Sequence, residues 1–111
     1  MVGFYIYETE TFQIKLNKDN VLNDIKHIIV SISQPAREVQ VDKKDNEIGI
    51  DEENNIISVS FSQEETAKFK PGNAEIQVNI YYNNSERDVS SKGQIEVRDN
   101  LYKKVISDGN N

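Results

Sequence analysis

The sequence predicts an all-β protein, an antiparallel sandwich of about seven strands with one short helical turn near residues 62–70. Three observations carry that prediction. Isoleucine and valine number 14 and 10, against three each of leucine and alanine and a single methionine. β-Branched side chains suit a pleated, half-buried surface and lose rotamer freedom in helices, where leucine, alanine and methionine are the usual fillers. Apolar and polar residues alternate in short runs, and turn residues separate those runs every 8–12 positions or so, the spacing of a small sandwich. At 111 residues the chain makes one domain, taken as residues 1–106, with 107–111 as a disordered C-terminal tail.

The elements follow in order. Phe4 and Ile6 share one strand face, with Tyr5 and Tyr7 on the other. Phe12, Ile14 and Leu16 alternate with Gln13 and Lys15 in a half-buried strand. Asn17 to Asp24 is polar and reads as a loop. Ile28, Val30 and Ile32 point one way, and Pro35 ends their strand or forces it to an edge because it lacks an N–H. Val39 and Val41 make a short strand before a charged turn at Asp42–Asn46. Ile48 and Ile50 pair with Ile57, Val59 and Phe61 across a hairpin whose loop is Glu52-Glu53-Asn54-Asn55; asparagine tolerates left-handed dihedrals there.

Ser62-Gln63-Glu64-Glu65 matches a capping box, with Ser62 as N-cap and Glu65 reaching back to its amide. Pro71-Gly72 stops that turn, and Phe69 is placed to plug one end of the core. Ile76, Val78, Ile80 and Tyr82 form the clearest strand, Asn83-Asn84-Ser85 turns the chain, and Ile95 with Val97 gives a further strand. Leu101, Tyr102, Val105 and Ile106 fit either a last strand or a helical turn. The whole is immunoglobulin-like in architecture only, since the cysteine pair and tryptophan of antibody domains are missing; a closed barrel is the alternative.

Composition excludes much chemistry. With no cysteine there is no disulfide, thiolate zinc site or cysteine nucleophile, and His27 is the only histidine. A net charge of −6 argues against a nucleic-acid partner, because phosphate neutralisation needs surplus cations. No apolar run approaches the roughly 20 residues that span a bilayer, so no membrane partner is expected. The N-terminus lacks a basic stretch followed by an apolar one, so no signal peptide is expected. The five glycines are scattered and make no phosphate loop. The sequon Asn83-Asn84-Ser85 would matter only in a glycosylating pathway.

Candidate sites are few. The acidic stretch Asp42–Glu53 invites calcium, but aligning Gly49 with the EF-hand glycine puts Lys44 at the first ligand, where an anion is required. A solvated hairpin tip is the expected reading, with a non-EF cation site as the alternative. His27 would need a nucleophile such as Ser31 or Ser33, yet both lie on its own strand and neither sits in a strained elbow. No pair among the 19 acids is marked out for glycoside hydrolysis. No enzyme and no cofactor is expected. Tyr5, Tyr7 and Tyr81 fall opposite the apparent core face and are the expected protein-contact residues, since exposed tyrosines are enriched at interfaces; packing within the sheet is their other reading.

Several stretches resemble small proteins encoded in the structural-gene region of phages and prophages of Gram-positive bacteria. The likeness runs from Glu10–Leu16 through Ile29–Gln34 to the block Ile57–Thr66, Phe69, Gly72 and Ile76-Gln77-Val78, and on through Ser90-Ser91 to Leu101, Val105 and Ile106. A similar block occurs, more distantly, in the immunoglobulin-like N-terminal domain of phage baseplate upper proteins. Glu8-Thr9-Glu10 departs from the pattern, where an Arg-Gly pair often precedes the first threonine. The resemblance implies a tail- or baseplate-associated structural or accessory protein, made in the host bacterial cytoplasm and then carried in the virion. Its implied partners are phage structural proteins or further copies of itself, as a homo-oligomer. It brings no catalytic residues. A carbohydrate-binding module of the host surface, or an intracellular prophage protein that binds a host protein, are the other functions the sequence allows.

Overall fold

The computed structural model describes residues 2–107 and places nine strands in two facing sheets. The strands are β1 Gly3–Tyr5, β2 Glu10–Lys15, β3 Ile25–Gln34, β4 Val39–Lys44, β5 Ile48–Asp51, β6 Ile56–Phe61, β7 Gly72–Tyr82, β8 Arg87–Val89 and β9 Gly93–Arg98. One sheet has the order β1-β9-β7-β3-β4, with β8 pairing β7 beyond the end of β9; the other has the order β2-β6-β5. The two separate sheets make this a sandwich rather than a closed barrel. One short helix, α1 (Gln63–Thr66), and 3-10 turns at Pro35–Arg37 and Asp45–Glu47 join the layers.

Sequence and structure differ in four places, each for a physical reason. The turn expected at Asp42–Asn46 begins only at Asp45, because Asp42–Lys44 continue β4 opposite Ser31, Val30 and Ile29. Every strand pair is antiparallel except β1 with β9, which run parallel from Gly3↔Glu96 to Tyr5↔Arg98. After Tyr5 the chain crosses to the other sheet instead of making a hairpin. Tyr7 takes a left-handed turn (φ 71°), and Gly3 is needed because a Cβ there would collide with the Glu96 carbonyl. The strand count reaches nine because β8 and β9 are one strand broken at Ser90. The register against β7 slips by one residue between Asn79↔Val89 and Ile76↔Gly93, and the Ser90 hydroxyl accepts the Val78 N–H at 2.9 Å. Finally, Leu101–Ile106 forms neither strand nor helix. Asn100 Nδ2 donates to Ile6 O (3.0 Å), and the Gln63 amide bonds both N and O of Ile106 (2.8 Å each), which folds the segment onto α1. Of the expected tail, residues 108–111 lie outside the described residues.

Alternation decides the core. Phe12, Leu16, Ile28, Val30, Ile32, Val41, Ile48, Ile57, Val59, Phe61, Val78, Ile80, Ile95 and Val97 all turn inward and are buried. Val21 and Leu22, inside the polar 17–24 loop, join them. An aromatic row crosses between the sheets. Phe69–Phe4, Phe4–Phe12 and Phe12–Phe61 meet edge to face at 5.7, 6.3 and 6.0 Å between ring centroids. Phe69 does plug the end of the core, at 1% exposure.

The turn that delivers Phe69 is closely held. Ser62 N–H donates to Glu65 Oε1 (2.8 Å) and Glu65 N–H to Ser62 Oγ (3.2 Å), the reciprocal pair expected from the sequence. Lys43 Nζ lies 2.7 Å from the same Glu65 oxygen and over the Phe61 ring. Burial pushes the Glu65 carboxyl up, but Lys43 and the Ser62 amide outweigh it and hold it below the usual carboxylate range. Buried Gln34 bonds Lys70 O (2.7 Å) and Lys70 N–H (2.8 Å), and Thr66 Oγ1 donates to Glu8 O (2.8 Å).

Two substitutions grade these ties. Phe69→Ala is expected to lower unfolding free energy by about 3–5 kcal/mol, a cavity at the end of a packed core. Gln34→Leu is expected to lower it by about 1–3 kcal/mol, because it strands the Lys70 backbone groups. Urea denaturation followed by circular dichroism measures both; equal, negligible losses would show that this end of the core carries no stability.

Candidate functional site

The three tyrosines do not meet. Tyr5 and Tyr81 face outward on the six-stranded sheet but at opposite ends, Tyr5 level with Arg98 and Tyr81 level with Arg87. Tyr5 is 48% exposed, with the Arg98 guanidinium 5.6 Å from its ring centroid. Tyr81 is half-buried and stacks on His27 at 6.3 Å and 16° between planes. Tyr7, past the left-handed turn that ends the alternation, packs partly buried against the core.

His27 Nδ1 lies 3.1 Å from Asp45 Oδ2, and the Ile28 N–H donates to Asp45 Oδ1 at 3.0 Å. These contacts, the backbone bond first, hold the Asp45 carboxyl below the usual range. Ser31, four residues along the same strand and so about 13 Å away, donates instead to Asp42 (2.6 Å). No nucleophile–base pair forms between them. Two further acids of the Asp42–Glu53 stretch serve backbone geometry. Glu47 accepts the Lys44 N–H (2.9 Å) and Asp51 the Asn54 N–H (3.1 Å), at the hairpin where Asn55 takes the left-handed conformation expected for asparagine (φ 58°). Among the described residues no three His, Asp or Glu side chains converge as a cation site.

The feature that sequence reasoning missed is a groove. It opens between β2 and the β8–β9 break, has a volume of about 300 Å³, and is walled by Ile14 and Leu16 on one side and Ile76, Val78 and Ile80 at its floor. Its cause is local. β1 covers the seam between the sheets only up to Val2, and Ser90–Lys92 holds no regular strand. One end is fixed by Tyr82, whose hydroxyl reaches Val21 O at 2.6 Å and Asp88 Oδ2 at 3.1 Å. Burial, then the Asp88 carboxylate, pushes that hydroxyl's pKa up to about 12, so it stays a donor. Asp88 also pairs with Lys18 across the groove mouth at 3.2 Å. The alternation of Ile14 and Leu16 was visible in the sequence; that no described strand pairs beyond β2 on that side was not.

Beside the groove runs an unpaired edge. The Leu16 N–H to Asn55 O bond (2.9 Å) sets the phase of β2, so Thr11, Gln13 and Lys15 aim their backbone groups away from β6. Among the described residues β2 pairs on that one side only, and the outer strands β1, β4 and β5 likewise pair on one side only. Among the described residues no helix is long and apolar enough to cross a membrane. No protein-family model matches the chain, and no curated protein is significantly similar to it.

The Asp45 contacts predict a pH effect with a definite sign. A carboxyl depressed in the folded state adds stability that is complete above the ordinary carboxylate range and is lost as pH falls through its folded value. Asp45→Asn is therefore expected to flatten the acid limb of the stability–pH curve while leaving its alkaline limb unchanged. Denaturation midpoints measured from neutral pH down through the carboxylate range check this, and an unaltered acid limb would refute it.

Proposed function

We propose that this protein is a non-enzymatic structural or accessory module of a phage tail or baseplate, working through protein–protein contact. The observation that carries the contact reading is the unpaired β2 edge beside an apolar groove. Backbone donors and acceptors in a row, next to unfilled apolar space, are what an added strand binds. The phage assignment rests on the resemblance of sequence blocks, chiefly Ile57–Thr66 with Phe69, Gly72 and Ile76–Val78. In the fold that block is one unit: strand β6, capped turn α1, plug Phe69 and strand β7. Such a unit recurs for folding reasons, so it speaks for shared architecture and brings no chemistry with it.

Quantitative mass spectrometry of purified particles induced from the source bacterium tests the assignment. A fixed copy number, in a multiple of three or six, is the expected result and gives the symmetry of the site. Recovery from the cell lysate alone, with none on the particles, would overturn it.

A further inference from the structure

Two features of one chain complement each other. At one end of the sandwich lies the groove, with an apolar floor and, among the described residues, a free β2 edge. At the other end lies Leu101–Ile106, past β9 and outside any ladder. That segment holds four of the eight large apolar side chains exposed among the described residues, with Leu101 fully in solvent at 102%.

The registers place them apart. β7 runs from Gly72, level with Val97, to Tyr81, level with Arg87. Gln63 of α1 pins Ile106 at the Val97 end, whereas Leu16, Ile80 and Asp88 put the groove toward the Arg87 end. From this arrangement we infer that the chain self-associates head to tail, Leu101–Ile106 of one copy entering the groove of the next as an added strand on β2.

The chemistry fits. In an extended segment Leu101 and Val105 fall on one face, matching the apolar floor. Six extended residues span about 20 Å, comparable to the length of β2. The backbone groups of Thr11, Gln13 and Lys15 supply the ladder. Because the joined surfaces differ, the contact is heterologous, so it propagates into a filament or closes into a ring instead of stopping at a two-fold dimer. The inference deepens the contact reading above by naming a second copy as the partner of that groove. It does not depend on the phage assignment, which particle composition decides separately.

Complementation between two blocked variants tests it. One is a chain ending at Asn100, which lacks the donor. The other is Gln13→Pro, which removes one free-edge N–H and leaves the β2–β6 bonds in place, a position where edge strands accept proline. Circular dichroism verifies that each is folded, and Ile14→Glu, which puts a charge in the groove, replaces Gln13→Pro should that variant unfold. In sedimentation velocity the full chain is expected to grow with concentration beyond a dimer or into a closed ring, each variant alone to stay monomeric, and their equimolar mixture to form a one-to-one dimer. Self-association weakened less than tenfold in either variant, a mixture that stays monomeric, or a full chain monomeric into the millimolar range would each overturn the inference.

Discussion

Everything in this fold turns on sealing the layer between two sheets. Sheets pack about 10 Å apart, and a chain of this length must close that slab on four sides with few residues to spare. One end is closed by α1 and Phe69, tied down through Ser62, Gln34 and Thr66. The other is closed by the loop carrying Val21 and Leu22, held by Tyr82 and by the Asn55 amide on Leu16 O and Lys18 O. Along one side the chain steps straight from β4 to β5 through Asp45–Glu47, with Lys43 covering Phe61. On the remaining side β1 brings Phe4 over half the seam, Ile6 follows it, and the rest stays open. The groove is what is left after three and a half sides are shut.

The acidic surface has a local logic. Asp45, Glu47, Asp51 and Glu65 each accept a backbone N–H at a turn or cap, where a carboxylate suits an exposed donor better than a neutral acceptor does. Their clustering in sequence reflects a chain with many turns crowded between β4 and α1. Each is held to a separate amide, and a shared cation would have to compete with bonds already made.

Much of this was legible in the residues. Period-two alternation located eight of the nine strands, and Ser62 with Glu65 located α1, because these signals depend only on near neighbours. β8 escaped because Arg87-Asp88-Val89 offers one apolar residue and its pairing is interrupted by Ser90. The parallel course of β1 escaped because alternation states which face a residue takes and nothing about which strand lies beside it. Gln34 and Asn55 look like ordinary polar residues in sequence, yet each ties distant segments through a side-chain amide. Leu101–Ile106 carries apolar residues without an element, since its ladder partner β1 leaves the sheet at Ile6 and Tyr7. The groove depends on an absence beside β2, and an absence leaves no pattern.

The parallel pairing of β1 with β9 has a mechanical meaning. Tension applied between Val2 and Ser107 would draw β1 toward its N-terminal end and β9 toward its C-terminal end. Strands in that geometry slide along their length, and the pairs Gly3↔Glu96, Phe4↔Val97 and Tyr5↔Arg98 carry the load together. A hairpin pulled at its open end instead parts one rung at a time. Phe4 adds resistance, since its ring must leave contact with Phe12 and Phe69 before the strand can move. Tension between Val2 and Ser107 is therefore met by shear of the β1–β9 pairs rather than by peeling.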